Sequence, residues 1–319
     1  MTDTPVSGAQ SYVEYRKETT YGVDAAGTNY AFGHEINIDI NRKNNMIEVL
    51  GLNDVNVKAL LEGKYEGMVT INGVLANARW LGMFWGASAT TGSAPHTHTF
   101  TESNTPPSVT IENGINLGTT DSVCKLLGCV LDSLNLKCAV GEPIRFTAKF
   151  FYKNEAEGTS LDGSPANETE TPFTFANATV AMPAGTTLTN VQNLDINLNR
   201  NVSRVYGLNS RFLTNVIFGK RGYEVILDKT FEIATILEQF YGSTTAPNAT
   251  VAESTMNINI TNADTGSAER HIEIQLAGVK PNEFSNPQKP NELIVENVAL
   301  IARYGTGIAQ DDTSSTPFD

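Results

Sequence analysis

Apolar and polar residues alternate with a period of two along much of this chain. Ile36, Ile38 and Ile40 are separated by Asn37, Asp39 and Asn41. Leu194, Ile196 and Leu198 are separated by Asp195, Asn197 and Asn199, and Met256, Ile258 and Ile260 by Asn257, Asn259 and Thr261. Successive side chains of a strand point to opposite faces, so each run predicts a strand with one buried and one wet face. Ile144, Phe146, Ala148, Phe150 and Tyr152 predict another, with Val298, Leu300, Ala302 and Tyr304 as its counterpart. Two segments break the alternation. Residues 77–86 and 233–242 each follow a strand and stop at a glycine, the usual helix terminator. In the second, Ile233, Ile236, Leu237 and Phe240 form one helical stripe. A shorter helix is predicted over 55–61, with Asn209 or Ser210 capping a matching turn.

The pattern is written twice. Gly63 to Gly86 matches Gly219 to Gly242 without a gap at a spacing of 156, and Gly51-Leu52-Asn53 recurs as Gly207-Leu208-Asn209 at that spacing. The string EINIDINR from Glu35 likewise resembles NLDINLNR from Asn193. Repetition of a unit this long predicts a tandem domain duplication and not a solenoid. The expected fold class is mainly β: two tandem homologous β-sandwich or barrel domains, each with one flanking α-helix. Their bounds are 10–153 and 172–305, after an N-terminal segment 1–9. The polar stretch 154–171 reads as a linker, and the acidic, Ser/Thr-rich 306–319 as a loose tail. Residues 87–107 have no counterpart in the second copy and predict an exposed arm.

Composition narrows the function. A net charge of -13 argues against nucleic-acid recognition, which needs clustered Lys and Arg. No apolar run approaches the ~20 residues that span a bilayer, and the first ten residues do not read as a signal peptide. Cys124, Cys129 and Cys138 all lie in the first copy and read as small hydrophobes in a reducing compartment. His96 and His98 form a His-x-His pair without a third ligand, so no metal or cofactor is expected. No phosphate-binding glycine loop, nucleophile elbow or paired carboxylates appear, and no catalysis is expected.

Three features together resemble the tail tube proteins of tailed phages and tailed archaeal viruses: Glu18-Thr19-Thr20-Tyr21-Gly22 near the start, the block opening Gly63-Lys64-Tyr65-Glu66-Gly67, and its repetition from Gly219. The resemblance covers most of both copies. It implies β-sandwich-like domains joined edge to edge into rings that stack as a tube in the virion tail, conducting double-stranded DNA from capsid to host. A duplicated member is expected as a homotrimer with pseudo-six-fold symmetry, a hexamer being the alternative. Implied partners are the tail terminator, tape measure and distal tail proteins, with DNA in transit and no membrane. If each domain gives four strands, six domains give a barrel of about 24 strands with a bore of roughly 38 Å. Asn37, Asp39 and Asn41, with Asp195, Asn197 and Asn199 as their equivalents, are the expected channel-facing residues. Arg42 and Arg200, at the strand ends, are the expected inter-subunit residues. Open alternatives are another tail or baseplate ring, the tube of a contractile injection device, or a two-domain host- or carbohydrate-binding module.

Overall fold

Two long strands, Ser122–Ala139 and His271–Ser285, organise the molecule because each serves two sheets. Each bends at a glycine in the left-handed region, Gly128 at φ 69° and Gly278 at φ 66°. A Cβ there would sit 2.9 Å from the Lys153 Cβ or 3.0 Å from the Arg303 Cβ, so only glycine fits the bend. The computed structural model describes residues 8, 11–24, 26–105, 107–117, 121–158, 170–262, 269–316 and 318.

The N-terminal half contains β1 (Ser11–Lys17), β2 (Tyr30–Ala31), β3 (His34–Lys43), β4 (Ile47–Leu50), β5 (Val57–Leu61) and β6 (Glu66–Val74). A 3-10 turn at Arg79–Leu81 leads into α1 (Gly82–Trp85), followed by β7 (Gly86–Thr91), β8 (His96–Glu102), β9 (Val109–Ile115), β10 (Ser122–Ala139), β11 (Arg145–Tyr152) and β12 (Asn154–Gly158). The C-terminal half contains β13 (Ala178–Ala181), β14 (Val191–Asn199), β15 (Ser203–Tyr206), β16 (Leu213–Ile217), β17 (Gly222–Thr230), α2 (Thr235–Tyr241), β18 (Ser254–Thr261), β19 (His271–Ser285), β20 (Val295–Ala302) and β21 (Tyr304–Asp311).

One antiparallel sheet of eight strands runs through both halves in the order β3-β6-β11-β10-β14-β17-β20-β19. Its middle seam is β10 against β14, with Ser133–Ala139 facing Asn199–Asn193. An outer layer covers one face. In the N-terminal half it is β2-β1-β9-β10-β12, and in the C-terminal half β13-β18-β19-β21-β8-β7. Every pairing is antiparallel, and the sheets do not close into a barrel. The expectation of a mainly β chain holds, with two short α-helices among the described residues. Both helices end at glycine as expected, with Gly86 at φ 98° and Gly242 at φ 72°.

The core lies between the layers. Val69, Ile71, Phe146, Phe150, Leu134, Ile196, Val225 and Leu300 point inward from the shared sheet and are buried. Phe32 bridges the layers beside α1, packing on Tyr15, Trp80 and Phe150 with ring centroids 4.7, 5.8 and 6.1 Å away. At roughly 25 cal/mol per Å2 of apolar area, each such buried ring contributes on the order of a few kcal/mol.

Three expectations need correction. Residues 57–61 form a strand, not a helix, because β5 pairs with β4 from Ile47↔Leu61 to Leu50↔Val57. The segment expected to be a loose tail supplies β21, which lies between β19 and β8, and Phe318 beyond it is buried. Of the expected arm at 87–107, residues 87–102 fold back as the β7–β8 hairpin on the other half's outer layer. Of the expected linker, Asn154–Gly158 is β12, and 159–169 lie outside the described residues, as do 1–7 and 9 of the N-terminal segment.

Candidate functional site: a polar sheet face and two open edges

The second face of the eight-stranded sheet is polar. Strict alternation fixes it: whatever is opposite a core residue in sequence parity points away from the core. Residues directly opposite across a ladder share a face, so the registers Asn37↔Asn72, Asp39↔Thr70, Asn135↔Asn197, Ser133↔Asn199 and Lys137↔Asp195 assemble one surface. Asn37, Asp39, Asn41, Asp195, Asn197 and Asn199 all fall on it. Amide groups bind the carboxylates there. Asn135 donates to the carboxylate of Asp195 and to Asn197 Oδ1 at 2.8 Å, and Asn193 and Asn297 donate to Asp228.

The face is not purely acidic or neutral. Lys137, Arg145 and Lys149 share it, and the sequence reading missed them. The signal was present: Arg145, Thr147 and Lys149 alternate with the core residues Phe146, Ala148 and Phe150. Asp39, Asp195, Glu224 and Asp228 balance them on the same surface.

Equivalence between the halves also shifts. The ladders align Ile40↔Val69 with Ile196↔Val225, a spacing of 156. Asn37, Asp39 and Asn41 therefore correspond to Asn193, Asp195 and Asn197, two residues away from the expected matches. By the same register Arg42 corresponds to Leu198, and Arg200 to Asn44.

The sheet's ends are open. Among the described residues β3 pairs only with β6, and the Lys280–Ser285 part of β19 only with β20. Arg42 lies at the β3 edge, where its Nε donates to both carboxylate oxygens of Glu155 at 2.8 and 2.9 Å. Tyr152 also donates to Glu155, at 2.6 Å, and so does Tyr65. Burial pushes the Glu155 carboxyl up, but the hydrogen bonds from Arg42, Tyr152 and Tyr65 outweigh it and hold it at about 2. The cluster ties the edge strand to β12.

Arg200 is not available to another subunit. It is buried inside the chain, where its guanidinium donates to the carbonyls of Phe84 and, at 3.2 Å, Ser103, and lies over the Phe218 ring at 4.7 Å. Burial, with Arg221 nearby, lowers its affinity for the proton to about 10. It caps the C-terminal carbonyls of α1, which favour a cation. Around it, Arg221 and Tyr223 reach Glu102, and the Trp85 indole donates to Gly305 O at 2.8 Å. Arg200 thus joins the two halves.

No group of three or more metal-ligating side chains occurs among the described residues. His98 is buried, held by Thr90 at 2.7 Å and Asp311 at 3.2 Å, while a ring nitrogen of His96 contacts Gly92 O. Asp311 also accepts from Arg79 at 2.6 Å, and Arg79 reaches Glu170 at 3.2 Å. Burial is the larger influence on Glu170 and lifts it to about 7 against the pull of Arg79 and Arg270. Burial acts on Asp311 too, but His98 and Arg79 hold it well below the usual carboxylate range. This network sits between the layers and locks β8, β21 and the 3-10 turn together. Cys129 is buried, Cys124 and Cys138 are half-buried, and all three are free thiols.

A layered β fold with one polar sheet face and strand edges left to pair among the described residues has the features of a structural building block. The chain belongs to the phage tail tube protein family, whose model matches residues 8–298. A search of curated proteins finds no match. Family membership places the protein in the virion tail, in a structural role that implies self-assembly into a tube with other tail proteins. Among the described residues no helix is long and apolar enough to cross a membrane.

Proposed function

We propose that three copies of this chain close into a ring, that rings stack into the tail tube, and that the polar sheet face lines a channel for double-stranded DNA. One observation carries the reading: the seam inside the chain is a template for the contact between chains. The ladders Leu131↔Phe150 and Pro281↔Leu300 match at a spacing of 150, and each is followed by the same bulge. The open edge of β19 is therefore the counterpart of the β10 edge, as β3 is of β14. Carrying Leu134↔Leu198 across sets Phe284 opposite Arg42 of the next copy, and Ser133↔Asn199 sets Glu283 opposite Lys43. Opposite charges facing across a ladder stabilise it.

The chain is then a tandem duplication, its halves 10–153 and 172–305 each giving four strands to a wall of about 24. Asn37, Asp39, Asn41, Asp195, Asn197 and Asn199 face the channel, whose amides and balanced charges let phosphate pass without gripping it. Arg42 stands at the subunit edge. Tape measure, terminator and distal tail proteins are the expected neighbours, and catalysis has no part. Negative-stain and cryogenic electron microscopy of concentrated protein test this. Three-fold rings with a hole of roughly 38 Å are expected. Six chains per ring would overturn the trimer, and protein that stays monomeric at all concentrations would overturn the ring.

A further inference from the structure

Each half carries a two-stranded hairpin outside the main layers, and the two hairpins are built alike. In β15–β16 the register runs from Ser203↔Ile217 to Tyr206↔Leu213 with a bulge after Val205. In β4–β5 it runs from Ile47↔Leu61 to Leu50↔Val57 with a bulge after Val49. Every pair and the bulge map at a spacing of 156. Asn53 and Asn209, at φ 62° and 69°, turn the two tips.

Their surroundings differ. The C-terminal hairpin lies across the N-terminal half at the start of β6. Tyr65 N donates to Arg211 O at 2.7 Å, Tyr206 Oη donates to Tyr65 O at 3.1 Å, and Phe212 meets the Tyr65 ring edge-on at 5.8 Å. Arg204 stacks on Phe151 at 4.7 Å and lies 3.7 Å from Glu66, which also pairs with Lys64 at 2.8 Å. Among the described residues the N-terminal hairpin has no such seat. Ile47, Val49, Leu50, Val57, Leu60 and Leu61 are all exposed, Leu50 to 73%. Apolar surface gathered in this way marks a contact that the single chain does not complete.

We propose that this hairpin seats on the C-terminal half of the adjacent copy, at Lys220, Gly222 and Ile301. The proposal rests on the ring reading above and adds a specific contact to it. Those three residues occupy the positions that Lys64, Glu66 and Phe151 hold under the seated hairpin. The charged substitutions at the matching positions are mutually compatible. Glu48 stands where the seated hairpin has Arg204, and the carboxylate of Glu66 is replaced by Gly222, while the lysine is kept. An Arg204–Glu66 pair inside the chain thus becomes a Glu48–Lys220 pair between chains. Leu50 replaces Tyr206 and Ile301, itself 48% exposed, replaces Phe151, while the Tyr65–Phe212 ring pair gives way to Arg221 and Asn56, so the contact is aliphatic in part and polar in part. Glu48 and Lys220 are exposed and make no ion pair among the described residues.

Two measurements test the seat. Assembled tubes, grown from an equal mixture of isotopically heavy and light protein, are treated with a carbodiimide, which joins a carboxylate to a lysine it touches. A mixed heavy–light peptide linking Glu48 to Lys220 is expected. Its absence from tubes in which other inter-copy links form would overturn the seat and leave the ring intact. Separately, Glu48→Lys and Lys220→Glu should each raise the concentration needed for assembly about fivefold, and the double swap should bring it back to within about twofold. Losses that simply add in the double variant would overturn the pair. Single variants that form free rings unable to stack would send the hairpin to the next ring instead. Wild-type protein that forms no rings would overturn both proposals.

Discussion

The strand β14 at the centre of the shared sheet and the strand β3 at its edge share the alignment Asp-Ile-Asn at 195–197 and 39–41, yet they live differently. Ile196 is buried between β10 and β17, while Ile40 has β6 on one side only and is half-buried. Likewise the hairpin that follows β14 is seated, and the one that follows β3 is bare. The same sequence pattern is therefore satisfied within the chain in one half and left unsatisfied in the other. Local pattern specifies a strand, but its neighbours decide how much of its potential burial is realised.

Substitutions at matched positions should expose this asymmetry. The largest effect is expected at the core. Ile196→Ala should destabilise the isolated chain by about 2–5 kcal/mol, because the cavity cannot collapse between paired layers. Ile40→Ala should cost about 1–2 kcal/mol in the isolated chain, since part of its surface already meets water. Urea unfolding of the monomer checks both, and equal losses would break the comparison. A smaller gap is expected just past the end of β14. Arg200→Ala removes the donor to the buried Phe84 and Ser103 carbonyls and should cost about 1–3 kcal/mol. Its counterpart Asn44→Ala, at an exposed position, should stay within about 0.5 kcal/mol.

The smallest expected effect is on the acid limb. Glu155 is held near 2, below the unfolded carboxyl, so its contribution is complete above the unfolded value near 4.5. It is lost as pH falls from there through about 2. Glu170, lifted to about 7, acts with the opposite sign and costs stability as pH rises through that value. Glu155→Gln should therefore flatten the loss of stability between pH 4.5 and 2. An unchanged acid limb in thermal melts would remove the Arg42–Glu155 cluster from the account of the β3 edge.

Much of the fold was legible because alternation is a direct readout of a two-faced strand. The candidate face was legible for the same reason, though its register was not. A slip of two residues leaves every side chain on its own face, so alternation places Asn199 correctly on the polar surface while mismatching it with Asn41. β21 was hidden by size. Gly305 and Gly307 are small because a Cβ on either would come within 2.5 Å of the Tyr223 or Trp85 ring, and small residues carry no hydrophobic signal. Residues 57–61 misled because Lys58, Ala59, Leu60 and Leu61 are good helix formers, and pairing with β4 overrode that preference. Arg200 gave no sequence sign of burial, since its acceptors are backbone carbonyls from distant segments.

The evenness of the shared sheet has a consequence of its own. Eight strands that all run antiparallel leave the last pointing opposite to the first. A further copy can then follow without any reversal of direction, and so can the one after it. Hydrogen bonding alone places no ceiling on that series, which is head-to-tail and closes only if each step turns by the right angle. Any counting therefore falls to curvature, that is, to the twist at each seam.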